Sequence, residues 1–456
     1  MATKKSAKKA SKATAEAQAT RASASVDELL LAALERGDDS FETGRLLVTY
    51  KEGAAEEGLR SLGAQGMRVA DARDFEGQAA VLEAVDDADA VVFPEIGVAL
   101  VGGGAARERG ISVAEALPAD SPVAQIDPER FVFVHGDYSE FLRNFPRAAE
   151  SSGNPGEYMR GFIAAAEAIA KDLRAGVLPP PVAEEEALAL GATWGLTACR
   201  VPQSTRSGNG IKVAVLDTGL DLGHPDFAGR PVVSQQFVGQ PVQDLHSHGT
   251  HCTGTACGTL SPPGSTPRYG IAHRASIFIG KVLSNSGSSV DGSVLAGMNW
   301  AIANRCHVIS MSLGGLRPPV FAYTQAGQTA LNNGLLIIAA AGNEASPTGA
   351  PANSPTIMSV ASLDQNLTPS SFSNFGKIEI SGPGRDVFSS VPRPTRYGYK
   401  NGTSMATPHV AGCAALWAET SPSLRGMNLW RRLEETAKRL TSLPPTRVGA
   451  GLVQAP

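Results

Sequence analysis

Nowhere in the 456 residues do eighteen apolar residues run together, so no transmembrane helix is expected. The N-terminus, Met1-Ala2-Thr3-Lys4-Lys5 and onward, is rich in Lys, Ala and Ser and has no apolar leader segment. No secretory signal peptide is therefore expected. Cysteine is scarce and odd in number: Cys199, Cys252, Cys257, Cys306 and Cys413. Their spacing matches neither a disulfide framework nor a zinc site. Buried free thiols are the expectation, and they favour a reducing compartment. A dominant charge is also missing. The net charge of −4 gives no general bias toward nucleic acid or a membrane surface. These absences together point to a cytoplasmic chain, or to one exported by an unconventional route.

What is present suits an α/β enzyme. The length calls for two or three domains. A hydrophobic share of 42% and a charged share of 18% fit a globular protein. Residues 1–40 read as a disordered Lys/Ala/Ser-rich tail. Residues 41–104 read as a small α+β module. Its strands are Leu46–Tyr50, Met67–Ala70, Ala90–Phe93 and Val98–Val101, and its helices Ala54–Leu62 and Gln78–Val85. Residues 105–189 hold a strand at Arg130–Val134, an Ala-rich amphipathic helix at Glu157–Leu173 and a stiff Pro-rich linker at Val177–Val182. From 190 to 445 apolar strands alternate with helices, as in a buried parallel sheet. The strands are Ile211–Leu216, Ile277–Val282, Val308–Ser312 and Leu335–Ala340. The carboxyl ends of such strands form an active-site crevice.

Several chemistry-bearing residues fall at those ends or at helix starts. Asp217 directly follows the first strand, where a carboxylate can orient a histidine, bind a metal or merely cap a turn. His248 lies in His246-Ser247-His248-Gly249-Thr250-His251, ahead of a helix of small residues. Three histidines so close also raise a metal, but the glutamate of a zinc HExxH helix is absent. Asn343 ends the fourth strand, where its amide can donate to an oxyanion. Ser404 sits in Gly402-Thr403-Ser404-Met405-Ala406-Thr407-Pro408-His409, at the start of a helix whose free N–H groups and dipole suit an oxyanion. The order Asp, His, Ser is that of subtilisin, and differs from that of chymotrypsin or the α/β-hydrolases.

Asp217-Thr218-Gly219, His248-Gly249-Thr250-His251, Ser312-Leu313-Gly314-Gly315, Gly342-Asn343 and Gly402–Pro408 together resemble the subtilase family of serine proteases. The runs His248–Cys252 and Ser371–Gly376 look closest to its proteinase K branch. The resemblance implies a subtilisin-like three-layer sandwich with a mostly parallel central sheet. Residues 44–102 resemble its inhibitor prodomain, an α+β, ferredoxin-like module. The implied chemistry is peptide hydrolysis through an acyl-enzyme. Ser404 is then the nucleophile, His248 the base, Asp217 its orienter and Asn343 an oxyanion donor. A substrate strand would lie between Gly287-Ser288-Ser289 and Ser312-Leu313-Gly314. Gly349 would line the pocket before the cut, with a broad apolar preference.

The resemblance also implies a structural calcium, held by Glu379 with the carbonyls of Pro355 and Ile357, but no cofactor in catalysis. Its partners would be polypeptide substrates and the chain's own N-terminal pro-region, an inhibitor removed by self-cleavage, on a monomer. Two other readings use the same fold: a non-catalytic binding protein, and an enzyme passing acyl groups to amines.

Overall fold

The computed structural model describes residues 21–36, 41–85, 87–113, 117–118, 120–134 and 191–456. The helix expected at 157–173 and the linker at 177–182 lie outside them. The N-terminal elements are α1 (Val26–Arg36), β1 (Glu42–Tyr50), α2 (Ala55–Ala64), β2 (Val69–Asp71), β3 (Ala90–Phe93), β4 (Val98–Val101), α3 (Gly103–Glu108) and β5 (Val123–Val134). Then follow α4 (Trp194–Ala198), β6 (Lys212–Asp217), β7 (Val232–Gln236), α5 (His248–Cys257), β8 (Ser276–Lys281), β9 (Ser288–Val290) and α6 (Asp291–Ala303). The chain continues through β10 (Val308–Met311), β11 (Leu313–Gly314), α7 (Phe321–Asn332), β12 (Leu336–Ala340), β13 (Met358–Leu363) and β14 (Ile380–Pro383). It ends with β15 (Val387–Ser390), β16 (Tyr397–Lys400), α8 (Thr403–Thr420), α9 (Gly426–Thr436) and α10 (Pro445–Val448).

One seven-stranded sheet runs β14-β13-β12-β10-β6-β8-β7, with every neighbouring pair parallel. Runs such as Val-Ala-Val-Leu and Leu-Ile-Ile-Ala-Ala are buried on both faces, as a helix-covered parallel sheet requires. Two apolar clusters fill its sides. One holds the inner faces of α6 and α7, the other those of α5, α8 and α9.

The N-terminal strands form a second sheet, β5-β1-β4-β3-β2, antiparallel except for β2 beside β3. In place of the helix expected at Gln78–Val85 there are two short 3-10 turns, Glu76–Gln78 and Leu82–Ala84. Gly77 takes a positive φ of 61° there and interrupts any continuous helix.

Residues 21–36 correct the expectation of a disordered tail. The Ser25 backbone N–H donates to Glu28 Oε2 at 2.9 Å, and the Glu28 N–H donates back to Ser25 Oγ at 3.3 Å. This is a capping box, and the Ser-x-x-Glu pattern before Leu29-Leu30-Leu31 was its signal in the sequence. The ordering force is burial. Val26, Leu29, Leu30 and Ala33 pack against Phe131, Phe133, Val238 and Val290.

Candidate active site

Ser404 lies in the first turn of α8, which begins after Gly402. Gly402 has φ 148°, and a Cβ there would come within 2.9 Å of Asn343 Nδ2. A larger residue would therefore displace the Asn343 amide. That amide is oriented from its other end, because Asn343 Oδ1 accepts from the Thr403 N–H at 2.8 Å and the Thr403 hydroxyl at 2.9 Å.

Pro408 lies inside this helix and has no N–H to bond the carbonyl of Ser404, four residues back. That carbonyl instead accepts from Ser312 Oγ at 2.8 Å and from Cys252 Sγ at 3.5 Å. The proline thus frees the serine's own backbone to be fastened to two neighbouring elements.

His248 opens α5, whose ten residues are all buried. Small residues let this helix approach its neighbours. A Cβ on Gly249 would meet Gly219 O at 2.2 Å, and one on Gly254 would meet Ser390 Oγ at 2.1 Å. His248 Nδ1 and Asp217 Oδ1 are 2.8 Å apart, and the Thr218 N–H donates to the same oxygen at 2.7 Å. Burial opposes the charge on Asp217, but His248 and the Thr218 N–H outweigh it and hold the carboxyl below its usual range. Burial likewise opposes the imidazolium, yet the Asp217 carboxylate raises His248 above an ordinary imidazole. His251, on the same helix, stays neutral because burial pushes it down.

Cys252 Sγ lies 3.9 Å from His248 Nδ1 as well as beside the Ser404 carbonyl. Histidine and serine are therefore adjacent. In this conformer Ser404 Oγ donates to Ser312 O at 3.4 Å, and His248 Nε2 is buried without a partner. A rotation of the serine side chain is what would join them. Asp217, His248 and Cys252 also form a cluster of metal-capable atoms. Here Nδ1 faces the carboxylate directly at hydrogen-bond distance, so the three atoms do not converge on a shared ion.

Two supports of the site escaped the sequence reading. Asp244 is fully buried and holds the start of α5. Its Oδ1 accepts from the Thr218 hydroxyl and the His246 and Ser247 N–H groups, and its Oδ2 from Thr250 N–H and Oγ1. Lys281 is also buried, and its ammonium donates to Thr218 O and Asn285 Oδ1. Burial pushes this lysine down to about 8, against the pull of Asp244 and Asp217. An Asp a few residues before a helix was a faint signal for the first; nothing local marked the second.

Gly287-Ser288-Ser289 and Ser312-Leu313-Gly314 face each other across a cleft occupied by the end of β5. Phe131, Val132 and Phe133 pair antiparallel with Val290, Ser289 and Ser288. Val134 and Phe133 pair with Leu313 and Gly314, and the Val134 N–H donates to Gly287 O at 2.9 Å. Beyond this strand, Gly349 packs on the Gly315 carbonyl, where a Cβ would come within 2.4 Å. The Glu344 carboxylate is taken by the Asn343 N–H and by Asn374 Nδ2, both at 2.9 Å.

The calcium expected at Glu379, Pro355 and Ile357 is not matched by the geometry. The Lys377 ammonium sits against two of these groups, Ile357 and Glu379, and its third partner is Ala352 in place of Pro355. It donates to Ile357 O, to Ala352 O at 2.9 Å and to Glu379 Oε2 at 2.7 Å. A divalent ion cannot share that space with an ammonium group.

The parallel sheet, with Asp217, His248 and Ser404 at its carboxyl edge, has the layout of a subtilisin-like serine protease. Comparison with known proteins agrees. Residues 208–451, more than half of the chain, match the model of the subtilase family. The alkaline protease of Alkalihalobacillus alcalophilus is 40% identical over 281 residues, 60% of this chain and 71% of that protein. Subtilisin Savinase of Lederbergia lenta is 40% identical over 270 residues, 58% of this chain and 96% of that protein. A crystal structure of a cold adapted subtilisin-like serine proteinase superposes with a TM-score of 0.52 at 32% identity, covering 58% of this chain and 99% of that one. The chain belongs to the subtilase family, and it is a serine endopeptidase. No helix among the described residues is long and apolar enough to cross a membrane.

Proposed function

We propose that Ser404, His248 and Asp217 are the catalytic triad, and that the enzyme is made as a self-blocked precursor which cuts its own chain. Ser404 Oγ attacks the scissile carbonyl while His248 Nε2 takes its proton. His248 then protonates the leaving amine, and water releases the acyl group by the reverse route. Asp217 keeps the proton of the neutral imidazole on Nδ1 and stabilises the imidazolium. Asn343 and the Ser404 N–H receive the oxyanion. The carboxylate of Glu344 is engaged elsewhere, which supports an apolar preference in the pocket beside Gly349.

The β5 strand in the cleft carries the precursor reading. It is bonded on both edges, as a bound peptide would be. Its register also names a bond. Val134, the last described residue of the strand, pairs with Leu313, the neighbour of Ser312, whose carbonyl lies 3.4 Å from Ser404 Oγ. The proposed self-cut is therefore His135–Gly136, which lies just past the described strand. Main-chain register sets it, so its histidine need not match the apolar preference.

Purified wild type treated with a serine-reactive fluorophosphonate should label at Ser404, and its N-terminal fragment should end at His135. A full-length, unlabelled chain that cleaves no peptide would sink the proposal. The binding-protein reading predicts that failure; the acyl-transfer reading predicts labelling with product formed only when an amine acceptor is added.

Release of the cut fragment should depend on pH through Glu83. This side chain sits where the N-terminal sheet meets Gly239, and a Cβ there would lie 3.2 Å from Glu83 Cδ. Burial pushes its carboxyl from 4.5 up to about 7. A raised carboxyl pKa means the docked state is penalised when the group is charged. The penalty is absent below 4.5, grows through that interval and is complete above 7. Gel filtration should find less fragment bound at pH 8 than at pH 5.5, and Glu83→Gln should flatten that difference. An unchanged pH dependence in the variant would count against Glu83 as its source.

A further inference from the structure

We infer that Lys377 is a built-in replacement for a structural metal ion, and that removing its ammonium uncovers a calcium site in this chain. The ammonium lies among oxygens from three places in the sequence: the carbonyls of Ala352 and Ile357 and the carboxylate of Glu379. Such a set of hard oxygens is what calcium selects. The surroundings are prebuilt. Glu379 Oε2 is fixed by the Ser359 N–H at 2.7 Å and the Ser359 hydroxyl at 2.9 Å. The Glu379 backbone oxygen accepts from Ala450 N at 2.8 Å. The site therefore joins the loop before β13, the entry to β14 and the C-terminal segment after α10. One positive charge must sit there, because the carbonyl dipoles and the carboxylate otherwise face each other uncompensated.

A tethered ammonium and a free ion differ in one physical respect. The lysine is always present at full occupancy, whereas an ion must be drawn from solution and is lost to chelators. The fold should thus be indifferent to calcium at this point.

The test uses the full chain carrying Ser404→Ala, so that self-cleavage does not obscure unfolding. Thermal unfolding and terbium luminescence are measured with and without Lys377→Ala, in EDTA and in millimolar calcium. Trp430 provides the optical probe, since its ring lies 5.7 Å from Lys377 Nζ and can sensitise terbium bound in its place. The Lys377→Ala chain should lose about 5–10 °C in EDTA, recover most of it in calcium, and show sensitised emission that calcium displaces. Adding Glu379→Gln should abolish both recovery and emission. The parent should show neither a calcium-dependent shift nor emission that Glu379→Gln removes. Terbium bound by the parent at this site would overturn the inference, and that measurement does not require the lysine variant to fold. An Lys377→Ala chain that folds with unchanged stability in EDTA, or that calcium does not restore, would overturn it equally.

Discussion

Ser404→Ala should give a chain that remains one uncut polypeptide and hydrolyses no peptide above background. The loss should be on the order of a million-fold in turnover, the size known for the same truncation in subtilisin. The fold should survive, because Ser404 Oγ makes one long bond to Ser312 O while the backbone carbonyl carries the firmer ties to Ser312 and Cys252. The measurement is paired: mass spectrometry for the missing cut, circular dichroism for the retained fold. A variant that is still cut at the same bond would show that another protease performs the processing and would remove the self-cleavage claim. A variant that fails to fold would show that the hydroxyl has a structural role.

Glu129→Ala should release the N-terminal module from the cleft. Arg45 and Glu129 are both fully buried and share a two-pronged pair, Nε to Oε2 at 2.5 Å and Nη2 to Oε1 at 2.9 Å. Glu129 Oε1 also accepts from the Gly292 N–H at 2.9 Å, at the start of α6, where the helix dipole favours a negative charge. Arg45 in turn donates to Ala22 O at 2.8 Å and so ties down the segment leading into α1. Removing the glutamate leaves a buried guanidinium without its partner and costs about 3–5 kcal/mol. Arg45 and Glu129 lie in the same fragment, so that cost falls on the stability of the N-terminal module; the hold on the cleft loses the Gly292 N–H bond, about 1.5–3 kcal/mol or roughly a ten- to hundredfold weakening. Wild-type fragments should co-elute on gel filtration after cutting, and the Glu129→Ala fragments should separate. Replacing Arg45 by Met and Glu129 by Leu together should restore the stability of the N-terminal module, since no lone charge remains, while the bond to Gly292 stays lost. Co-elution of the Glu129→Ala fragments would exclude the Glu129–Gly292 contact as the principal tether.

The proposed catalytic residues were legible because each stands in a local pattern with its own chemistry. Asp217, Asn343 and Ser404 end apolar strands or open helices, and those strands could be read from unbroken apolar runs. The helix at 26–36 was equally local, yet the composition of the preceding residues hid its capping box. Asp244 and Lys281 were harder. They reach Asp217 and His248 through Thr218, and that contact is set by packing between elements far apart in the chain.

From the sequence came the parallel sheet, the three proposed triad positions and the asparagine beside them, since each depends on residue type within a few positions. Tertiary structure alone decided two things. It placed β5 in the cleft in one register, a pairing between strands more than 150 residues apart that no local pattern encodes. It also put an ammonium where family resemblance led to a metal. Lys377 is two residues from Glu379, but the carbonyls that complete its cage come from a loop twenty and more residues earlier. Only the folded chain brings those charges and dipoles within reach of one another.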